Sequence, residues 1–196
     1  MFSNDLRERL NLLDENIVKE SNEVLHLLET SESGKADLEI VLQNQCIYFW
    51  DLENKKMQYF VCKKCADHVV FEKKADAWII HIFEMKRTVK KDEWITIKEQ
   101  FKGALQNSLA LVGVLGINDE VKEIKLYTAF RNDKINNYSN TIQQRIQMHE
   151  TKEKREQYVN DWNDEVISLN FLGVEKFLHI KIPLDIETGR GKYDLE

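Results

Sequence analysis

Residues 81–89 read HIFEMKRTV, and with the preceding Trp78, Ile79 and Ile80 they make an extended apolar run that turns abruptly charged at Glu84. A run apolar at successive positions is that of a strand covered on both faces, which places it near the centre of a sheet. Side chains two residues apart on a strand share a face and lie roughly 7 Å apart. Glu84 and Lys86 therefore project together, while Phe83 and Met85 point the other way. An acid and a base leaving one face at the end of a buried strand need a reason, because a charge removed from water is costly without a partner.

The neighbouring segments set this strand in a sheet. DHVVFEK (67–73) is a second strand, and Lys74, Ala75 and Asp76 supply a hairpin turn before Trp78. Antiparallel pairing across that turn brings Asp67 close to Glu84 and Lys86. LEIVL (38–42), CIYFW (46–50) and MQYFVC (57–62) are further short segments rich in β-branched and aromatic residues, separated by polar turns such as DLENKK (51–56). They are expected to be adjacent antiparallel strands.

On either side the period becomes helical. Leu6, Leu10, Leu13, Ile17, Val24 and Leu28 recur at helical spacing up to the turn-rich TSESGK (30–35), so residues 4–30 are expected to form one long helix, with or without a break. After Asp92, an expected N-cap, Trp94, Ile97, Phe101, Leu105, Ser108, Val112 and Leu115 form one stripe, stopped by Gly116. EIKLYTAF (123–130) reads as a strand, residues 140–162 as a polar helix, and KFLHIKI (176–182) as a last strand before Pro183. Helix, strands, helix, strand, helix, strand is the order of an α/β (α+β) fold, a central mixed sheet flanked by helices.

Composition bounds what such a fold does. The chain has 196 residues, one proline and seven glycines, with 42% hydrophobic and 32% charged residues. That describes a single globular domain, 1–196, able to bury its own core. No basic segment leads into an apolar one at the N-terminus, and no run approaches the ~20 apolar residues of a spanning helix, so a cytoplasmic protein without a membrane partner is expected. Three cysteines fit reduced thiols in that compartment, where the sequon at Asn137 carries no meaning. A net charge of −6 argues against holding nucleic acid by bulk electrostatics, but not against a local basic groove.

Two carboxylates and an amine converging at a strand end have a definite chemical use. Mg²⁺ prefers hard oxygen ligands, takes one or two protein carboxylates and keeps several waters. A lysine beside it can orient a water or steady negative charge as it develops. ADHVVF (66–71), then WIIHIFEMK (78–86), then a helix carrying IKEQFKGAL (97–105), resembles the PD-(D/E)XK nuclease superfamily, whose signature is an acid on one strand and E-x-K on the next. The resemblance spans about residues 60–131. It implies a restriction-endonuclease-like core, Asp67 and Glu84 as ligands of Mg²⁺ (or Mn²⁺), Lys86 as the catalytic lysine, and Gln100 as a helix glutamine near the site that supports the lysine or contacts the substrate backbone. Ala66 replaces the proline of the namesake motif, and Ala104 stands where an aromatic residue often follows the glutamine. The superfamily often adds an acid from the first helix. Helical phase would put Glu20 inside the apolar stripe and Glu23 at its edge, with Glu20 the better placed.

The implied function is a metal-dependent nuclease acting on phosphodiester bonds of DNA or RNA, in bacterial defence or nucleic-acid processing. The alternative is a catalytically inactive nuclease-fold module with a binding or regulatory role. Glu84 and Lys86 could also be an ordinary ion pair at a strand end. Cys62, Cys65 and His68 form C-x₂-C-x₂-H, which with Cys46 or His81 would suggest zinc, but strand alternation sends such side chains to both faces and favours small buried thiols. Gly113 and Gly116 end a helix rather than open one, and GRGK (189–192) lacks P-loop spacing, so these are turn and tail residues. Lys86, Arg87, Lys90, Lys91, Lys98, Lys102 and Arg131 cluster around the site, either as a phosphate-contacting rim or as a solvated face diluted by Asp92, Glu93 and Glu99. Cutting two strands takes two sites, so a homodimer is compatible with the reading, and the polar helix at 140–162 offers a surface for one.

Overall fold

A computed structural model describes residues 2–30, 35–53, 64–135 and 161–195. MQYFVC (57–62), with Cys62, and residues 140–160 of the expected polar helix lie outside the described residues.

Helix α1 (Asn4–Leu10) is followed by β1 (Val18–Ser21), β2 (Val24–Glu29), β3 (Ala36–Val41), β4 (Cys46–Trp50), β5 (His68–Lys74) and β6 (Ala77–Val89). Helix α2 (Lys91–Leu115) then leads through a short 3₁₀ turn to β7 (Val121–Asp133), and β8 (Val166–Phe171), β9 (Val174–Pro183) and β10 (Arg190–Asp194) complete the order. Seven strands form a mixed sheet in the order β1-β4-β5-β6-β7-β9-β8, with β6 fourth and central. The side made of β1, β4, β5 and β6 is antiparallel, and β6, β7 and β9 are mutually parallel. Parallel neighbours need a long crossover, and α2 supplies it between β6 and β7. A second sheet, β10-β3-β2, has three strands.

The fold is therefore mixed α/β, with a layering that differs from the expected one. Helices α1 and α2 cover the same face of the large sheet, where Leu6, Ile80, Ile82, Trp94, Phe101 and Leu126 share one core. The opposite face is covered by the three-stranded sheet, and Leu25, Leu27, Leu38, Ile40, Phe83 and Met85 form a second core there. Alternation along β6 supplies both cores from one strand, as its apolar reading required.

The N-terminal helix over 4–30 is corrected. Only Asn4–Leu10 is helical, capped by the Ser3 side chain at 3.2 Å from the Leu6 amide. Beyond Asp14 the effective period is 2: Leu25 and Leu27 are fully buried, whereas Val24 and Leu28, on which the helical spacing rested, are exposed. LEIVL is also corrected, since β3 pairs with β2 and β10 in the small sheet rather than beside CIYFW. GRGK opens β10, parallel to β3, and is not a tail. Helix α2 begins with Lys90 as N-cap, two residues before the expected Asp92, which lies in the first turn where a carboxylate complements the helix dipole.

Its stripe is as read, with Trp94, Ile97, Phe101, Leu105, Ser108, Val112 and Leu115 all buried. Gly116 ends the helix in the left-handed region at φ 70°, with the Arg9 guanidinium packed against it. A side chain there is strained whatever the space, so Gly116→Ala is expected to lower stability by about 1–2 kcal/mol in urea unfolding without altering the site.

Candidate functional site

Hairpin β5–β6 turns at Ala75 and Asp76, with Lys74 opposite Ala77 and Ala75 at φ 54°. Its register pairs His68 with Phe83, which sets Asp67, one residue before β5, across from Glu84. The Met85 amide donates to Asp67 Oδ2 at 2.7 Å, fixing the carboxylate against β6. Glu84 is fully buried, and Lys86, a quarter exposed, makes an ion pair with Glu84 Oε1. Asp67, Glu84 and Lys86 are thus brought together at the end of the central strand.

Electrostatics mark this group as strained. Burial pushes Asp67 up to about 6; Lys86 and the Met85 amide oppose the rise, and the Glu29 and Glu53 carboxylates add to it. Burial, reinforced by Asp67, raises Glu84 well above the usual carboxylate range. Burial alone would lower Lys86, but the adjacent Glu84 outweighs it and holds the ammonium above its ordinary value. Glu84 Oε2 is buried and accepts no hydrogen bond from the described residues. A buried carboxylate oxygen without a donor is the kind of vacancy a cation or a protein donor normally fills.

Gln100 projects from α2 and is buried, its Nε2 donating to the Cys65 carbonyl at 3.4 Å. Asn107, two turns further on, donates to the Gly103 carbonyl and lies 3.7 Å from Cys65 Sγ. Both side chains lie against the segment that delivers Asp67. Asn107 was not expected, although a buried amide on the apolar stripe of α2 was a usable signal. On the other side of β6, Thr128 stands in register with Glu84, and its hydroxyl meets His179 Nε2 of β9 at 2.9 Å. Thr128 and His179 are polar residues inside LYTAF and FLHIKI, visible in the sequence once the strands are aligned.

Glu20 and Glu23 are not brought to this site. Glu20 lies on β1, opposite Ile47 of β4, ion-paired with Arg7 at 3.5 Å and accepting from Gln45 at 3.2 Å. Glu23 is exposed in the turn between β1 and β2. The acids with electrostatic reach to Asp67 are instead Glu29, at the end of β2, and Glu53, past the end of β4. Neither is near Asp67 in sequence, and the misread N-terminal helix hid the first.

The described members of the zinc reading are separated. Cys46 belongs to the core facing the small sheet and Cys65 to the core facing the helices. His68 Nδ1 pairs with the Tyr48 hydroxyl at 2.9 Å, while His81 is held by Glu72 at 3.0 Å and Tyr127 at 2.8 Å. Burial pushes the Cys65 thiol up to about 12, keeping it protonated. Within the basic cluster, Lys90 is 3.9 Å from Glu93 and Lys98 is ion-paired with Asp161, so part of its charge is already matched.

A cleft of about 610 Å³ opens beside the site, with Asp67, His68, Tyr48, Trp50 and Lys19 in its walls. Among the described residues no helix is long and apolar enough to cross a membrane. Compared with known proteins, the chain matches no family model, no curated protein and no solved structure.

Proposed function

We propose that this protein is a Mg²⁺- or Mn²⁺-dependent nuclease hydrolysing phosphodiester bonds of DNA or RNA, built on a restriction-endonuclease-like core of β5, β6, α2 and β7. The observation that carries the reading is the joint placement of Asp67, Glu84 and Lys86 at the end of the central strand, with Glu84 Oε2 buried and lacking a donor among the described residues. That donor set fits a hard divalent cation: two carboxylates, one of them with an unused oxygen, are within what Mg²⁺ takes from a protein while keeping its waters. Asp67 and Glu84 would hold such an ion, which would supply Lewis acidity and lower the pKa of a water.

The chain's own groups do the rest. The mutual repulsion of Asp67 and Glu84 would be offset by the cation they hold. Lys86, paired with Glu84 in the metal-free protein, would then be placed to orient the attacking water or face the negative charge that grows on the phosphoryl oxygens. Gln100 and Asn107 brace the Cys65 segment, so their contribution is to hold Asp67 in place.

The second reading, a nuclease-fold module without turnover, is favoured by one observation: Glu84 and Lys86 already neutralise each other. Incubation with single- and double-stranded DNA and RNA, with and without Mn²⁺, alongside Lys86→Ala, separates the two. The nuclease reading expects Mn²⁺-dependent cleavage of at least one substrate, lost in the variant. Absence of cleavage of any substrate would leave the module, and metal-independent cleavage would overturn both readings.

A further inference from the structure

The cleft beside Asp67 is not accounted for by hydrolysis at the strand end, and its walls have a chemistry of their own. Trp50 closes β4 and is half-buried, whereas Trp78, Trp94 and Trp162 are fully buried. Its ring tilts against Tyr48 at a centroid distance of 5.3 Å, and the Lys19 ammonium lies 5.4 Å over the Tyr48 ring. The cleft thus has an aromatic wall with one accessible indole. Opposite chemistry comes from Glu29, Asp51, Glu53 and Asp67, four carboxylates in the same lining.

His68 adds a second, independent sign of a ligand. It is 6% exposed and lines the cleft, with Nδ1 engaged by the Tyr48 hydroxyl. The other ring nitrogen, Nε2, has the Leu28 backbone nearby but makes no hydrogen bond of good geometry among the described residues.

Four carboxylates repel a phosphate, so the sugar–phosphate backbone does not fill this space. A nucleobase does fit: its face stacks on an indole, and its exocyclic amine donates to a carboxylate. Resting on the nuclease reading of the adjacent site, we infer that the cleft receives one unpaired base of a single-stranded substrate, stacked on Trp50, and favours bases that carry an exocyclic amine. A base within a duplex is already stacked and paired and does not enter without being extruded.

The test is binding in a chelator, where no cleavage occurs, measured by tryptophan fluorescence and by anisotropy of a labelled oligonucleotide. Oligo(dC) and oligo(dA) are expected to quench the native protein and to bind at least about fivefold more tightly than oligo(dT) of equal length or than a duplex. Trp50→Leu is expected to lose the quench and at least about fivefold in affinity, with Trp50→Phe, which keeps a stacking face, in between. Equal affinity for duplex and single strand, equal affinity for oligo(dT), or undiminished binding by Trp50→Leu would each overturn the inference. Cleavage of nucleic acid without this selectivity would leave the nuclease reading standing alone. Selective binding without cleavage under any metal would do the reverse.

Discussion

Glu84→Gln is expected to abolish metal-dependent cleavage while leaving the metal-free protein as stable as the native chain, or more so. The two halves have one cause. A fully buried carboxylate whose pKa is raised by burial and by Asp67 is a liability to the fold, which on the proposed reading is offset by the cation it binds. Glutamine keeps its shape, removes its charge and can donate to Asp67, so the liability goes and the ligand goes with it. Loss of an electrostatic element of this kind typically costs about 10²–10³ in rate, and loss of the ion itself more. A purely structural Glu84 would give the opposite pattern, since breaking a buried ion pair by removing one partner is destabilising by roughly 3–5 kcal/mol. Cleavage rate and melting temperature measured on the same preparation decide between them. Lys86→Ala is the companion, with cleavage lost to a similar extent and some stability lost as well, because it strands Glu84.

The second large effect is a pH-dependent stabilisation by Mg²⁺. Asp67 binds its proton more tightly in the folded protein, with a pKa of about 6 against an ordinary 3.8, and Glu84 is displaced in the same direction. Between those values the folded state holds more protons than the unfolded chain, so the metal-free protein loses stability as pH rises from about 4 through 6, and Glu84 extends the loss upward. Lys86 is raised instead and contributes stability throughout this window, losing it only at alkaline pH. A divalent cation needs both carboxylates ionised. At about pH 8 and roughly 100 times its Kd it would stabilise by about 2.7 kcal/mol, a Tm rise of about 5–10 °C for a chain of this size. At about pH 5 most Asp67 is protonated, apparent affinity falls at least tenfold, and the rise shrinks by roughly half. Thermal melts at both pH values, with and without Mg²⁺, check this. Equal shifts at the two would remove the carboxylates from the binding site.

The sequence was most informative where local chemistry and tertiary structure agree. Ala75 and Asp76 set a tight turn, the turn sets the register, and the register places Asp67 across from Glu84. The stripe on α2 and its stop at Gly116 were legible for the same reason, since period and terminator point the same way. The N-terminal segment shows how this fails. Leu6, Leu10, Leu13, Val24 and Leu28 satisfy a helical spacing, but Leu25 and Leu27 satisfy period 2, and only burial against β3 decides between them. That burial belongs to the small sheet, which closes through β10 near the far end of the chain. The acids that bear on Asp67 were hidden likewise, because Glu29 and Glu53 come from a strand and a loop remote from it in sequence. The full burial of Glu84 was not legible either, because an acid and a base at a strand end read equally as an ordinary ion pair.

Calorimetric titration of Mn²⁺ into the native protein, Asp67→Asn and Glu84→Gln bears most directly on the central claim, that Asp67 and Glu84 together hold a divalent cation. Saturable binding to the native chain, weakened at least about tenfold in each variant while both remain folded, is the predicted result. No binding to the native protein, or equal binding to all three, would contradict it.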